Sequence, residues 1–396
     1  MADTATLELP THKGRPGWEF TELGDFTLEA WSVPPSEPVE WRAAGLLEPP
    51  SGSAELVQVD HSLSDEPMLE GGALVLPLSV ARERHPELVE PHLGTVVRDV
   101  DAFTAANEAA WEGGAFVYVP RGVKVDAPIL LTVVGNAPGT ILHRRVLVVL
   151  EEGAEAEVWE QYLSGGDEAT VLNTVVELKV GQSARLRYVN AQELNERSWI
   201  FGSHRAEVER DAALDWVVLG FGSARGKVRT ETLLAGPGAD AKVTGAYAPH
   251  ARQHIDFDTT QEHGAPNTTS DLAFRGILTD RSSAVWRGMI KVDPGAQQTD
   301  AFQECRNLLL SKKAHADAIP GLEILANDVR CTHAAAVAQI DKEQLFYLRS
   351  RGLDQGTSTR LVIEGFMAEL VERFEEGPMR EALGTALERR LATLLD

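Results

Sequence analysis

The sequence predicts a mainly β protein with a parallel β-helix core and α-helical regions at both ends. Three features of the 396-residue chain predict this fold. Runs in which apolar and polar residues alternate fill its middle, small or acidic corners separate these runs at nearly constant spacing, and no helical pattern lies between them. Strands without intervening helices exclude a βαβ fold. A β-sandwich remains the alternative, although its connections do not require a constant period.

Composition and charge exclude several classes of function. With 37 Lys and Arg against 60 Asp and Glu, the net charge is −23, which argues against a nucleic-acid or anionic-membrane partner. The 43% hydrophobic content is that of a globular protein, and no apolar run approaches the ~18 residues of a membrane-spanning helix. The first residues show no export signal, and two cysteines do not make a disulfide framework. We therefore expect a cytoplasmic protein.

The first region, residues 1–112, is predicted to be helical and irregular. Residues 99–111 combine helical apolar spacing with strong helix formers. Several prolines make residues 32–55 look like connecting chain rather than a regular element. The apolar anchors of this region are Trp18, Phe20, Leu23, Phe26 and Trp31.

The β-helix core is predicted to cover residues 113–340. Four successive corners recur with a nearly constant period, as expected if each period is one coil stacked on the last. These corners are at Gly153–Ala154, Gly181–Gln182, Asp211–Ala212 and Gly238–Ala239, and further corners of the same type are at Asp280–Arg281 and Gly295–Ala296.

The two cysteines and one histidine are the candidate metal ligands of this core. Cys331 and His333 are next-but-one neighbours, so on a strand both side chains leave by the same face. Cys305 precedes both by about one period, so all three side chains could meet on one wall of the last coils. Thiolates and imidazole suit zinc and iron–sulfur clusters. The spacing alone is a weak metal signature, and a buried thiol beside a hydrogen-bonded histidine is the alternative interpretation.

An enzyme is the rival function. A carbohydrate-active β-helix enzyme needs converging carboxylates, for which Asp256, Asp258 and Glu262 are available. Such carboxylates are common in so acidic a chain, and the export signal usual for this class is not seen. The sequence contains no P-loop, no GxSxG elbow and no dinucleotide-binding fingerprint between a strand and a helix.

Residues 341–396 are predicted to form a helical domain of three helices. Asp341 is the expected N-cap of the first helix and Gly352 its C′ residue. The second helix covers about 357–374, and the third begins near Pro378. Both carry apolar stripes that either pack the helices together or bind a partner protein. The stripes are Val362, Phe366, Leu370 and Phe374 in the second helix, and Met379, Leu383, Leu387 and Leu391 in the third.

Four segments closely resemble the SufB/SufD family of iron–sulfur cluster assembly scaffold proteins. LEILANDVRCTHAAAVAQIDKEQLFYLRSRGL (322–353) resembles the family's C-terminal signature, and HGAPNTTSDLAFRGILTDRSSAVWRGMIKVDPGAQQTDAFQECRNLLLS (263–311) resembles the part of the core before it. GWEFTEL (17–23) and FVYVPRGVKVDAPI (116–129) are also similar to family segments. The resemblance implies a right-handed parallel β-helix with helical ends, in agreement with the period.

The resemblance also implies a role for the chain. The length, and a segment at 158–166 without the cysteine motif of SufB, favour the SufD branch, whereas Cys305 stands where SufB has a cysteine linked to cluster assembly, so a SufB-like subunit remains the alternative. The implied partners are a SufB-like subunit and the ATPase SufC, and a homodimer is an open alternative when they are absent. The chain would be a non-catalytic scaffold, with a transient iron–sulfur cluster, not stably bound, at the SufB–SufD junction near Cys331 and His333. The residues expected to dock SufC are Phe346, Tyr347, Arg351, Val362, Phe366 and Leu370.

Overall fold

The computed structural model describes residues 7–11, 17–35, 45–97 and 101–395. Its helices are α1 (Leu78–Arg84), α2 (Pro86–Val89), α3 (Ala102–Ala110), α4 (Lys342–Ser350), α5 (Gln355–Val371) and α6 (Pro378–Leu395). Its strands are β1 (Ala54–Val59), β2 (Ser62–Leu63), β3 (Leu74–Leu76), β4 (Ala115–Val119), β5 (Ile129–Gly135), β6 (Thr140–Leu150), β7 (Glu155–Ser164), β8 (Thr170–Val180), β9 (Arg185–Glu193), β10 (Trp199–Val208), β11 (Ala213–Gly220), β12 (Arg225–Leu234), β13 (Asp240–Tyr247), β14 (His254–His263), β15 (Thr269–Leu278), β16 (Ser283–Val292), β17 (Thr299–Leu309), β18 (His315–Ile324) and β19 (Val329–Gln339).

From β4 onward the strands alternate between two sheets, so that two successive strands make one coil. Among the described residues, sheet A has nine strands in the order β18-β16-β14-β12-β10-β8-β6-β4-β3, and sheet B has ten in the order β19-β17-β15-β13-β11-β9-β7-β5-β1-β2. Strands of neighbouring coils pair in parallel, and only the β1–β2 and β3–β4 pairs among these strands are antiparallel. The predicted parallel β-helix is therefore confirmed, with about eight turns.

The predicted period is the offset between paired strands. Trp199 lies opposite Arg225, and Arg225 lies opposite His254, so each step along the sheet advances the chain by about one period. The step from Ser283 to His315 is longer, because β17 and the turns on both sides of it are slightly longer than their counterparts in the coil before. Each coil can therefore stack on the last at the ~4.8 Å spacing of a sheet.

One corner of the coil has a repeated construction, which explains the sequence period. At Gly153, Asp211 and Gly238 the backbone has φ values of 68°, 55° and 78°, in the left-handed region that reverses the chain sharply. A small buried residue follows, because a larger side chain would not fit where the two sheets meet. These buried residues are Ala154, Ala184, Ala212, Ala239 and Ala296. The predicted corner at Asp280–Arg281 belongs instead to the opposite corner, between β15 and β16.

Aromatic and branched side chains fill the interior of the coil. Trp216, Phe274 and Trp286 are fully buried there, and rings of successive coils contact each other, with Phe274 and Trp286 6.2 Å apart. A second apolar cluster lies on the outer face of sheet B, under α5 and α6. None of the helices described is long and apolar enough to span a bilayer.

The N-terminal region adds strands to both sheets, which the helical and irregular interpretation of residues 1–112 missed. Strand β1 pairs with β5 at the far end of sheet B. The predicted helix at 99–111 is observed as α3, capped by the Asp101 side chain, while 99 and 100 lie outside the described residues, as do 36–44 of the predicted connecting segment. Of the predicted apolar anchors, Trp18 packs on Phe103 with ring centroids 5.4 Å apart.

The three C-terminal helices begin near the predicted residues. Asp341 caps α4 by accepting a hydrogen bond from the Glu343 N–H, and Gly352 has a φ of 96° just after the helix. The apolar stripes of α5 and α6, expected to pack the helices together or to bind a partner protein, pack on the outer face of sheet B as well as on each other. The buried residues are Ile363, Met367, Leu370 and Phe374 around α5, and Met379, Leu383, Leu387 and Leu391 in α6.

Candidate functional site at the open end of the β-helix

The last coil is open on its outer side. Strands β18 and β19 are the end strands of sheets A and B, and within the described part of the chain each is paired on one side only. No described residue covers them, and several large apolar side chains of this coil are between 36% and 54% exposed. Long, apolar edge strands are rare in isolated proteins because their free N–H and C=O groups invite pairing with another chain. The exposed residues are Ile319, Leu322, Ile324, Leu325 and Val337.

Cys331 and His333 lie on β19 at this open end. They are opposite Ala301 and Gln303 of β17, both buried, so the two side chains share the face that continues the lining of the coil. Cys331 is half-buried against a small apolar cluster that includes Ala301, and burial raises the pKa of its thiol, with the Asp300 carboxylate adding to the shift. His333 is exposed. The edge thus carries one partly shielded thiol and one accessible imidazole.

Cys305 lies on the adjacent strand but not beside either residue. Its partner on β19 is Ala335, because the coil between β17 and β19 is longer than the separation of Cys305 from Cys331 or His333 in the sequence. From strand geometry, the Cα atom of Cys305 is ~8 Å from that of His333 and ~14 Å from that of Cys331. A disulfide between the two cysteines, which needs Cα atoms within ~7 Å, does not fit this register. Across the described chain no three His, Cys, Asp or Glu side chains are grouped to hold a metal ion.

The Cys305 thiol is enclosed within the coil. Its side chain is 0% exposed, and burial raises its pKa to about 12. The Tyr247 hydroxyl and the Asn307 amide nitrogen each lie 3.5 Å from Sγ, and these hydrogen bonds lower the pKa less than burial raises it. Cys305 is therefore a protonated, inaccessible thiol in this structure, whereas thiolates are the reactive and metal-binding form.

The three carboxylates considered for an enzyme form ion pairs with lysine and arginine side chains. Asp256 is buried and its Oδ2 accepts hydrogen bonds from Lys227 Nζ at 2.9 Å and from the Thr21 hydroxyl at 2.5 Å. Asp258 and Glu262 also lie within 4.0 Å of cationic side chains. Carboxylates fixed in this way stabilise the outer face of sheet A and do not form the converging acid and base of a glycosidase.

The helix residues proposed for docking divide into two groups. In α4, Phe346 is 73% and Tyr347 56% exposed, and the Arg351 guanidinium lies 5.2 Å from the Tyr347 ring. Leu370 in α5 is only 2% exposed, so its side chain contacts the β-helix and is not at the surface. Phe366 and Val362 are half-buried. Among these docking candidates, the exposed aromatic side chains are therefore those of α4. We call Phe346, Tyr347 and Arg351 together the α4 surface.

The exposed apolar residues of the last coil were missed by the sequence reasoning. Leu322 and Ile324 belong to an ordinary alternating strand, and nothing in that alternation marks the strand as the last. The available signal was the change from strand alternation to helical spacing after Ile340, which indicates that the run of coils stops there.

Comparisons with known proteins all point to one protein family. The family profile described as SUF system FeS cluster assembly, SufBD core domain, matches residues 133–366, and that of the SufBD protein N-terminal region matches residues 58–131. The chain is 29% identical to the iron-sulfur cluster assembly protein SufD of Bacillus subtilis, over 99% of this chain and 92% of that protein. It is 27% identical to SufB of the same organism, over 94% of this chain and 79% of that protein. An iron-sulfur cluster assembly SufBD family protein of Mycobacterium tuberculosis is 31% identical over 76% of this chain and 77% of its own length.

Proposed function

The chain belongs to the SufBD family of the SUF iron–sulfur cluster assembly system, and on this premise we propose that it is a SufD-type scaffold subunit that pairs with a SufB-type subunit through its last coil. The observation that carries the proposal is the open end formed by β18 and β19. These strands are 10 and 11 residues long, apolar and unpaired on one side in the described structure.

Pairing at this end has a simple physical basis. A second β-helix that ends in two similar strands would continue both sheets at ~4.8 Å spacing and satisfy the free backbone groups. The exposed apolar side chains of the last coil would be buried at the same time. Each would add ~25 cal/mol to the binding free energy per Å² of apolar surface removed from water. A homodimer through the same edges is the expected substitute when the partner is absent.

The cluster is cargo that this junction would hold transiently. Cys331 and His333 supply a thiol and an imidazole at the edge, and iron–sulfur clusters accept both ligand types. Two side chains do not complete the coordination of a cluster, so the remaining ligands would come from the partner subunit. Cys305 would contribute only after the end of the coil opens, because its thiol is now buried and protonated.

The α4 surface is proposed to dock the ATPase SufC. Phe346 and Tyr347 are large aromatic side chains in water, and such residues dominate binding energy at protein interfaces. ATP hydrolysis in SufC would strain the junction and expose the cluster-building groups. The chain itself has no P-loop and is proposed to be non-catalytic. Two free cysteines suit the reducing cytoplasm, where we place the complex.

The SufB-type identity is the second candidate. Cys305 favours it, since the resemblance places this residue where SufB has a cysteine linked to assembly. The absence of cysteine from 158–166 favours the SufD type. Co-expression with a SufB-type subunit separates the two: a SufD-type chain forms a one-to-one complex, whereas a SufB-type chain supports cluster assembly without that subunit.

Complementation tests the site. In a strain lacking this gene, His333→Ala should fail to restore iron–sulfur cluster assembly, measured as iron and sulfide in a reporter protein. Thr332→Ala is the matched control, because it changes the neighbouring exposed residue on the opposite face of β19. Full restoration by His333→Ala would refute the role proposed for this residue.

Co-purification tests the junction. Leu322→Glu with Ile324→Glu places two charges on the open end and should abolish capture of the SufB-type subunit. Met68→Glu is the control, since Met68 is 97% exposed and lies far along the chain from the last coil. Undiminished capture by the double variant would show that the partner binds elsewhere.

A further inference from the structure

One corner of the β-helix carries a column of cations. Arg252, Arg281 and Lys313 occupy the same place in three successive turns, and all three side chains are exposed. The Arg281 N–H donates to the carbonyl of Ala251, which sets Arg281 opposite Arg252. Each cation directly precedes the buried residue of its corner, namely Gln253, Ser282 or Ala314. Stacking therefore holds like charges one coil apart, at a backbone spacing of ~4.8 Å.

Among the residues that the structure describes, these cations have no carboxylate partner, in contrast to other cations on the same protein. On sheet A, Arg205 lies 3.1 Å from Glu231 of the next coil, and Lys179 lies 2.8 Å from Glu207. Within the described residues no carboxylate oxygen lies within 4.0 Å of a side-chain nitrogen of the column or of the neighbouring Lys312. An acidic chain of net charge −23 has ample carboxylates for such pairs, so an unneutralised column stands out.

The column borders an open groove of about 840 Å³. Trp199 and Gln253 line it, and the Arg225 guanidinium lies 5.6 Å from the Trp199 ring. Two acidic residues also line the groove, and both are engaged. Glu196 pairs with His250 at 2.7 Å, and Asp280 Oδ2 accepts the Ala251 N–H at 2.9 Å. Five cations of the lining outnumber these two carboxylates, so the net charge of the groove is positive. The cations are Arg225, Arg252, Arg281, Lys312 and Lys313.

We propose that this groove binds an extended acidic polypeptide segment of a partner protein. The cations form a row along the stack rather than converging on one point, so they match carboxylates spaced along a chain better than a single phosphate. A long polyanion such as a nucleic acid would extend beyond the groove and be repelled by the negatively charged surface around it. A short acidic segment gains the local attraction without that repulsion.

The groove ends beside the last coil. Lys312 and Lys313 lie in the corner immediately before β18, the edge strand of sheet A. An acidic segment in the groove would therefore lie next to whatever docks on that end. Binding in the groove depends on its cations and its open shape, and not on whether a second subunit pairs with β18 and β19.

Binding of a fluorescent Glu-rich peptide to the full-length chain tests the inference. At low salt the peptide should bind, and the triple variant Arg252→Gln, Arg281→Gln, Lys313→Gln should weaken binding about tenfold, as expected for three exposed charge contacts. Added salt should weaken binding to the unaltered chain, because exposed charges are screened. The control, Arg82→Gln, Arg121→Gln, Lys124→Gln, removes the same charge from exposed residues outside the groove and should bind the peptide as the unaltered chain does.

Three results would overturn the proposal. The first is no peptide binding at low salt. The second is equal weakening by the control variant, which would mean that only net charge matters. The third is tighter binding of inorganic phosphate or of a single-stranded oligonucleotide of matched charge, which would assign the groove to a phosphate ligand. Circular dichroism of both triple variants confirms that each is folded.

Discussion

Two helices that are adjacent in sequence are expected to respond oppositely to truncation of their apolar residues. Phe346 and Tyr347 in α4 are 73% and 56% exposed. Each of the two alanine substitutions should therefore change the free energy of unfolding by no more than ~0.5 kcal/mol. If the α4 surface docks SufC, the same double variant should lose at least ~2 kcal/mol of binding free energy, about 30-fold in Kd. Leu370→Ala should instead lower stability by ~2–5 kcal/mol, since this residue is 2% exposed on the face of α5 that packs on sheet B.

Urea unfolding and titration calorimetry with SufC measure the two quantities on the same samples. Glu343→Ala is a suitable control for α4, because its carboxylate is exposed and its backbone N–H, not its side chain, is used by the Asp341 cap. If the Phe346 and Tyr347 double variant binds SufC with unchanged affinity, the docking assignment is wrong. If it unfolds as easily as Leu370→Ala, the exposure seen in the structure is wrong.

Three further predictions concern the β-helix itself. In the native chain Cys331 should react with a maleimide, whereas Cys305 should react only after unfolding, because burial shields Cys305 and raises its pKa to about 12. Mass spectrometry counts the labels, and two labels on the native chain would contradict the structure. Burial lowers the pKa of His204 to about 3 and that of His263 to about 4, from 6.5. Below pH 6.5 the folded chain therefore binds fewer protons than the unfolded chain. The contribution of these histidines to stability is complete above pH 6.5 and falls as the pH drops towards their folded-state pKa values. At pH 5 the loss is ~2 kcal/mol per histidine, and a urea midpoint equal to that at pH 7.5 would exclude this effect. Ala184→Leu should cost ~1–3 kcal/mol by overfilling its 0% exposed corner position, and an unchanged Tm would argue against the tight corner.

The coil period and the helix boundaries could be predicted because their signals are local. A residue able to adopt positive φ, such as Gly153 or Asp211, followed by a small residue, marks a corner wherever it occurs. Asp341 and Pro378 likewise mark helix starts through their own capping and backbone chemistry. The resemblance to the family then supplied the proposed function, which none of these local signals contains.

The register of the site could not be predicted, because it depends on the length of a whole coil. Strand β18 and the turns on both sides of it set the repeat, so Cys305 meets Ala335 rather than Cys331 or His333. The outer packing was also hidden: the stripe of α5 is centred on Ile363 and Met367 because the surface of sheet B selects which helix face it buries. Both features are set by contacts between residues far apart in the sequence.

Hydrogen–deuterium exchange of β19 tests the proposed subunit junction most directly. In the free chain the outward N–H groups of residues 329–339 have no strand partner in the described structure and should exchange quickly. On addition of the SufB-type subunit, these groups and those of β18 should become protected, while strands in the first coils stay unchanged. Exchange in β18 and β19 that is the same in the free chain and in the assembled complex would contradict the account.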